Sequence, residues 1–176
     1  MMNLKTNYFD IFGLPHSYVI NEAFLRSTHH ALLQEVHPDR FVSHSSQEQR
    51  LATQYTVFIN TAFDTLLSPV KRAVYLLSEL GVEINFEYQT IKDIPFLVEQ
   101  MSFREKLQLL TGNLEALEKL KQEVKDQYQD IIHQLESLFS SFSEDKKETA
   151  IHLILRLKFF ERLLSSVFYK DKPSEK

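Results

Sequence analysis

Apolar residues in this chain recur at intervals of three, four and one over long stretches, the spacing of one helical face. Tyr8 to Phe12 reads as a short turn of helix closed by Gly13, with Pro15 just beyond. Asn21 is placed to cap the next helix, and Ile20 and Leu25 flank it as a hydrophobic staple would. Leu25, Thr28, Leu32, Leu33 and Val36 carry that helix to His37, where Pro38 stops it. A polar run, Ser43-His44-Ser45-Ser46, follows. Leu51, Tyr55, Phe58, Ile59, Ala62, Phe63 and Leu66 then define a strongly amphipathic helix ending at Ser68-Pro69. A further helix is predicted from Val70 to Leu80, stopped by Gly81. Two long helices joined by a loop of about ten residues pack antiparallel.

Val82-Glu83-Ile84-Asn85-Phe86 alternates, but it is short and isolated, and reads as an extended connection. Three long helices follow. Asp93 is a candidate cap for the first, with Pro95 in its first turn and a stop near Thr111-Gly112. The second starts near Asn113 and keeps its apolar series from Leu117 to Leu138 until Ser140–Ser143 breaks it. The third runs from about Glu144 to Tyr169, with Leu153, Leu157, Phe160, Leu164 and Val167 on one face. The predicted class is all-α: an antiparallel helical hairpin with flanking short helices over 1–80, a linker over 81–88, an elongated three-helix bundle over 89–170, and a frayed tail over 171–176.

Composition narrows the chemistry. The 176 residues include no cysteine, which removes disulfides, thiol catalysis and thiolate-held metal. Three glycines, Gly13, Gly81 and Gly112, cannot write either glycine-rich phosphate-binding loop. No G-x-S-x-G or H-E-x-x-H occurs, and His29 and His30, being adjacent, point apart on a helix. Neither an enzyme nor a cofactor or metal site is expected. The net charge of −4 argues against nucleic acid as the partner. All of that excess falls after residue 75, since the first 75 residues balance six acidic against six basic side chains. No uncharged apolar run is long enough to span a membrane, and a cytoplasmic protein is the default expectation.

One tripeptide stands out by its context. His37-Pro38-Asp39 lies in the loop between the two antiparallel helices. It is preceded by Tyr8-Phe9 and Phe12-Gly13-Leu14-Pro15, and followed by Ile59-Asn60-Thr61-Ala62-Phe63 and Ser68-Pro69-Val70-Lys71-Arg72-Ala73. Proline fixes its own φ and keeps such a turn stiff. Asp39 is then an exposed acceptor suited to a partner's arginine, with His37 a flat donor and acceptor beside it. A plain alternative is that Pro38 only ends a helix and Asp39 caps the loop. These residues resemble the J-domain, the module that stimulates ATP hydrolysis by DnaK-type chaperones. Joined directly to a bundle carrying Phe96-Leu97-Val98-Glu99-Gln100-Met101 and Arg104-Glu105, the chain is similar to HscB, the co-chaperone family of iron–sulfur cluster assembly. The resemblance implies that His37, Pro38 and Asp39 trigger the partner's ATPase, with Arg26 and Arg40 as basic contacts and His29 and His30 beside Arg26.

The helix from Asp93 predicts a second surface. At about 100° per residue, Phe96, Phe103, Leu107 and Leu110 share a core side, while Leu97, Val98, Met101 and Leu109 lie almost opposite, around Glu105. A bundle helix needs one apolar face, so the second is either an interface or packing against the first domain. The HscB resemblance implies an interface for an IscU-type scaffold protein, formed by Leu97, Val98, Met101 and Glu105 with Phe159 from the last helix. Phe159 lies off the core stripe, which fits partial exposure, with a core role the equal alternative. The implied partners are therefore an HscA/DnaK-type chaperone and the scaffold, with the chain itself a monomer or weak dimer. A helical interaction protein unrelated to chaperones would share the second apolar face but make His37 and Asp39 dispensable.

Overall fold

Residues 6–87, 93–110 and 113–170 are described by the computed structural model of the chain, and every regular element among them is helical. The helices are α1 (Tyr8–Ile11), α2 (Glu22–Val36), α3 (Ser46–Leu67), α4 (Pro69–Glu79), α5 (Ile94–Leu109), α6 (Leu114–Ser140) and α7 (Lys147–Lys170). Single turns of 3-10 helix at Pro38–Phe41 and Glu144–Lys146 lead into α3 and α7. Residues 82–85 have no regular structure, in keeping with a connection. The chain divides into two units, one through Leu80 and one from Gly81. The expected residues 88–92, the Thr111-Gly112 stop and the 171–176 tail lie outside the described residues.

Local chemistry sets the helix ends. The side chains of Asn21, Asp93 and Asn113 accept the N–H groups of Phe24, Phe96 and Ala116 at 3.0, 3.0 and 3.1 Å. Each satisfies a donor that the first helical turn leaves orphaned. After α1, Gly13 adopts φ +63°. That lets the Gly13 N–H reach the Asp10 carbonyl and the Leu14 N–H reach the Phe9 carbonyl, the paired bonds of a Schellman motif.

In the first unit, α2 and α3 form the antiparallel hairpin. His29 meets Asn60 and Phe63, whereas Val36, further along α2, meets Thr56, earlier on α3. The helices α1 and α4 both pack on α3. Phe9, Leu25, Ile59, Leu66 and Leu77 are fully buried in this unit. The ring of Tyr8 stacks on Tyr75 of α4 at 4.5 Å, and the Tyr75 hydroxyl receives the Tyr8 N–H. Arg72 is also buried, its guanidinium donating to the Leu66 carbonyl at 2.7 Å and lying 5.1 Å above the Tyr18 ring. A buried cation is tolerated only when hydrogen bonds and π-faces replace its water.

In the second unit, α6 and α7 pack against each other along their length, and α5 packs on α7. Pairs between α5 and α7 rise together: Asp93 with His152, Glu99 with Arg156, Phe103 with Phe160. The two helices therefore run parallel. Serving two neighbours, α7 buries more than one stripe. Ile151, Ile154, Leu155 and Leu163 join the anticipated Leu153, Leu157, Phe160 and Val167 in the core, while Leu164 is only half-buried. Of the two readings of Phe159, the structure has the core one. It is 8% exposed, edge-on to Phe96 of α5 and against Phe160, because the side of α7 away from α6 is covered by α5.

Replacing Arg72 by Ala should lower the unfolding free energy by roughly 2–3 kcal/mol, from the lost charged hydrogen bond and the emptied site. Urea denaturation followed by circular dichroism measures it; a change under half that size would show that Arg72 is dispensable to the first unit.

Candidate functional site

At the tip of the α2–α3 hairpin, Val36 is the last helical residue and His37 leaves the helix at φ −58°, ψ 129°. That extended conformation is the one a following proline enforces. Pro38 then begins the 3-10 turn, whose open N-terminus is capped by the His37 ring: Nδ1 accepts the Asp39 N–H at 3.3 Å. A ring nitrogen that accepts this bond carries no proton, so the cap uses the tautomer with its hydrogen on Nε2. The Arg40 N–H returns to the His37 carbonyl at 3.0 Å, and its guanidinium donates to the Gln34 carbonyl at 3.0 Å, tying the turn to the end of α2.

The Asp39 carboxylate is left free by this arrangement. It is 87% exposed and lies 3.6 Å from His37 Nδ1, a nitrogen already committed to the backbone. No other partner meets it among the described residues. Arg26 is exposed on α2, three turns before His37 and so on about the same side. His29 does not join it. Its ring stacks on Phe63 at 3.8 Å and bonds Asn60 at 2.9 Å, so the basic surface expected from Arg26, His29 and His30 loses its middle member to the hairpin interface.

The loop returns to α3 through a full capping box. Ser45 Oγ accepts the Glu48 N–H at 3.3 Å, and the Glu48 carboxylate accepts the Ser45 hydroxyl at 2.7 Å and its N–H at 3.0 Å. These bonds hold the Glu48 carboxyl below its ordinary pKa. The helix thus begins at Ser46, ahead of its apolar series from Leu51; the spacing Ser45-x-x-Glu48 is the sequence signal that could have shown this.

A second surface lies on α5. Its inner side, Phe96, Phe103 and Leu107, is buried. On the outer side Ile94, Val98, Met101 and Leu109 are 60–84% exposed, with Leu97 half-buried at the margin and Glu105 exposed among them. Ile94 was missed by sequence reasoning, although at 100° per residue it falls at the centre of this arc. The face is held in place from behind. Arg156 of α7 grips Glu99 through two hydrogen bonds of 2.5 and 2.8 Å and lies over the Phe96 ring, and His152 reaches Asp93 at 2.6 Å. Phe159 does not reach this surface as a free ring; it supports α5 from within.

Comparison with known proteins now decides between families. Residues 92–167 match the family model described as the HscB C-terminal oligomerisation domain. Proteins named co-chaperone protein HscB homolog are 36% identical over 169 residues in Burkholderia multivorans, covering 95% of each chain, and 36% over 160 residues in Shewanella loihica, covering 89% of this chain and 92% of that one. This chain belongs to the HscB co-chaperone family. The fold agrees. HscB from Vibrio cholerae superimposes with a TM-score of 0.84 at 33% identity, covering 93% of this chain and 96% of the other. Human HscB superimposes at 0.88 with 26% identity, covering 98% and 85%. As an HscB-family protein the chain is a co-chaperone, and among its described residues no cluster suited to a metal ion and no membrane-crossing helix occurs.

Because the Glu48 pKa is lowered in the folded state, its contribution to the HscB hairpin is complete above the unfolded glutamate pKa and disappears as pH falls through the lowered value. Carboxyl carbon shifts should therefore titrate below the ordinary glutamate midpoint, and Ser45→Ala should move that midpoint upward. An unmoved midpoint would show that the capping box does not hold the carboxylate.

Proposed function

We propose that this protein is a cytoplasmic two-surface adaptor of iron–sulfur cluster assembly. Its first unit, the J-domain, docks on an HscA/DnaK-type chaperone and stimulates ATP hydrolysis there. Its second unit carries an IscU-type scaffold protein to that chaperone. The protein itself makes and breaks no covalent bond.

The observation that supports this best is the state of Asp39: a carboxylate at the tip of a braced turn, exposed, with its neighbour's nitrogen already committed to the backbone. An arginine of the chaperone would find both oxygens available for a forked, charge-assisted pair. Pro38 limits the turn's conformations, so little entropy is lost when the contact forms. Arg40, anchored to the end of α2, and Arg26 on its flank supply positive charge around that contact.

The scaffold contact is assigned to the outer side of α5: Val98 and Met101 at its centre, Ile94 beside them, Leu97 at the margin and Glu105 as a charged member. Removing such side chains from water against a matching surface is favourable, and a few central residues carry most of the binding energy in interfaces of this kind. Phe159 acts behind the face, through the position of Phe96 and Phe103.

Two outcomes test the assignment. Asp39→Asn should abolish stimulation of the chaperone's ATPase in a steady-state assay while leaving the melting temperature and scaffold binding unchanged; retained stimulation would sink the J-domain reading. Val98→Asp and Met101→Asp should each weaken scaffold binding by about 1–3 kcal/mol in calorimetric titrations without lowering stability. Phe159→Ala should instead lower stability by about 3–5 kcal/mol. The opposite pattern, with Phe159 selective for binding and Val98 for stability, would exchange the roles of core and face.

A further inference from the structure

A groove of about 850 Å³ runs between α5 and α7. Along α5 it is lined by Phe96, Gln100, Arg104 and Leu107, and along α7 by residues from Leu155 to Ser166 at spacings of three and four. Each stripe spans twelve residues, roughly 16 Å of helix at about 1.5 Å per residue. That length takes about five extended residues or three helical turns. Its floor is apolar: Phe96, Leu107, Leu155, Phe159 and Leu163.

The walls are cationic. Arg104 on α5 and Lys158 and Arg162, one turn apart on α7, face the trough, against a single acidic lining residue, Glu87. Neither Arg104 nor Arg162 has an ion pair or hydrogen-bond acceptor among the described residues. Arg156, by contrast, is spent on Glu99. Lys158 lies 3.5 Å over the Phe86 ring; burial and then the charge of Arg162 lower its pKa, with Glu161 opposing. Gln100 is 9% exposed, and its amide also has no hydrogen-bond partner among the described residues. An anionic ligand would relieve the repulsion between the cations and satisfy that amide.

We propose that this groove docks an acidic segment of a partner protein, its apolar side chains on the trough floor and its carboxylates on Arg104, Lys158 and Arg162. The floor favours a peptide over a nucleic acid: five apolar side chains give a phosphate backbone nothing to bind. The site is separate from the outer face of α5, where the scaffold contact is assigned, and does not depend on that assignment.

The test uses the intact protein and fluorescence anisotropy of a labelled nine-residue peptide in which aspartates flank a leucine–phenylalanine pair. Its asparagine counterpart and a labelled single-stranded DNA of similar charge are the comparisons. The aspartate peptide should bind at least tenfold more tightly than the asparagine peptide and weaken as salt rises. Arg104→Gln with Arg162→Gln should reduce its affinity at least tenfold at an unchanged melting temperature, and Arg104→Glu with Arg162→Glu should abolish binding. Val98→Ser, away from the groove, should leave it unchanged. No binding of the aspartate peptide, equal binding of both peptides, indifference to the arginine variants, or tighter binding of the DNA would each overturn the proposal.

Discussion

The constraint on which the hairpin depends is steric. Pro38 bars the helical conformation from the residue before it, so α2 must end at Val36 and His37 must turn outward. Once turned, the His37 ring caps the next turn, and the chain reverses within a few residues to begin α3. The same reversal lets α2 and α3 pack face to face through His29, Phe63 and Thr56, and presents α3 to α1 and α4. A single imide ring thus sets both the hairpin and the presentation of Asp39. The hairpin and its loop therefore have one cause.

In the second unit the organising feature is that α7 has two neighbours. It is buried against α6 along its length and against α5 on another side, through the Glu99–Arg156 pair and the Phe96, Phe103, Phe159 and Phe160 cluster. Helix α5 is then a single layer. One side meets α7, and the other carries Ile94, Val98 and Met101 into solvent. Such a helix offers a rigid apolar surface at little conformational cost, since its backbone is already held by α7. The cationic groove lies along the line where α5 meets α7, beside that exposed apolar side.

Much of this was legible in the residues. Caps at Asn21 and Asp93, the helix start near Asn113, the Gly13 stop and the proline ends of α2 and α3 are local effects, and local effects are written in neighbouring residues. The two opposed sides of α5 were legible too, because helical angle follows from residue number alone. What was not legible depends on contacts between distant segments. Phe159 reads as off-stripe when one apolar face is assumed; only the second neighbour of α7 makes it core. His29 reads as part of a basic surface until α3 brings Phe63 over it. Nothing in the residues around Arg72 marks it as buried, and it lies beneath Tyr18. The groove is invisible in the sequence because Arg104 and Arg162, 58 residues apart in number, meet only through packing of α5 on α7.

Function on this reading comes from joining two modest contacts in one chain. Tethering raises the local concentration of scaffold at the chaperone and multiplies weak affinities without any new contact. The most direct test is a mixing experiment: steady-state ATPase of an HscA-type chaperone with its scaffold and an equimolar mixture of two variants, one carrying Asp39→Asn and the other Met101→Asp. Each variant keeps one surface. If the surfaces must be on the same chain, the mixture will fail to restore the stimulation given by the intact protein at equal concentration. Full restoration by the mixture would show that the two contacts act independently, and would contradict the adaptor mechanism.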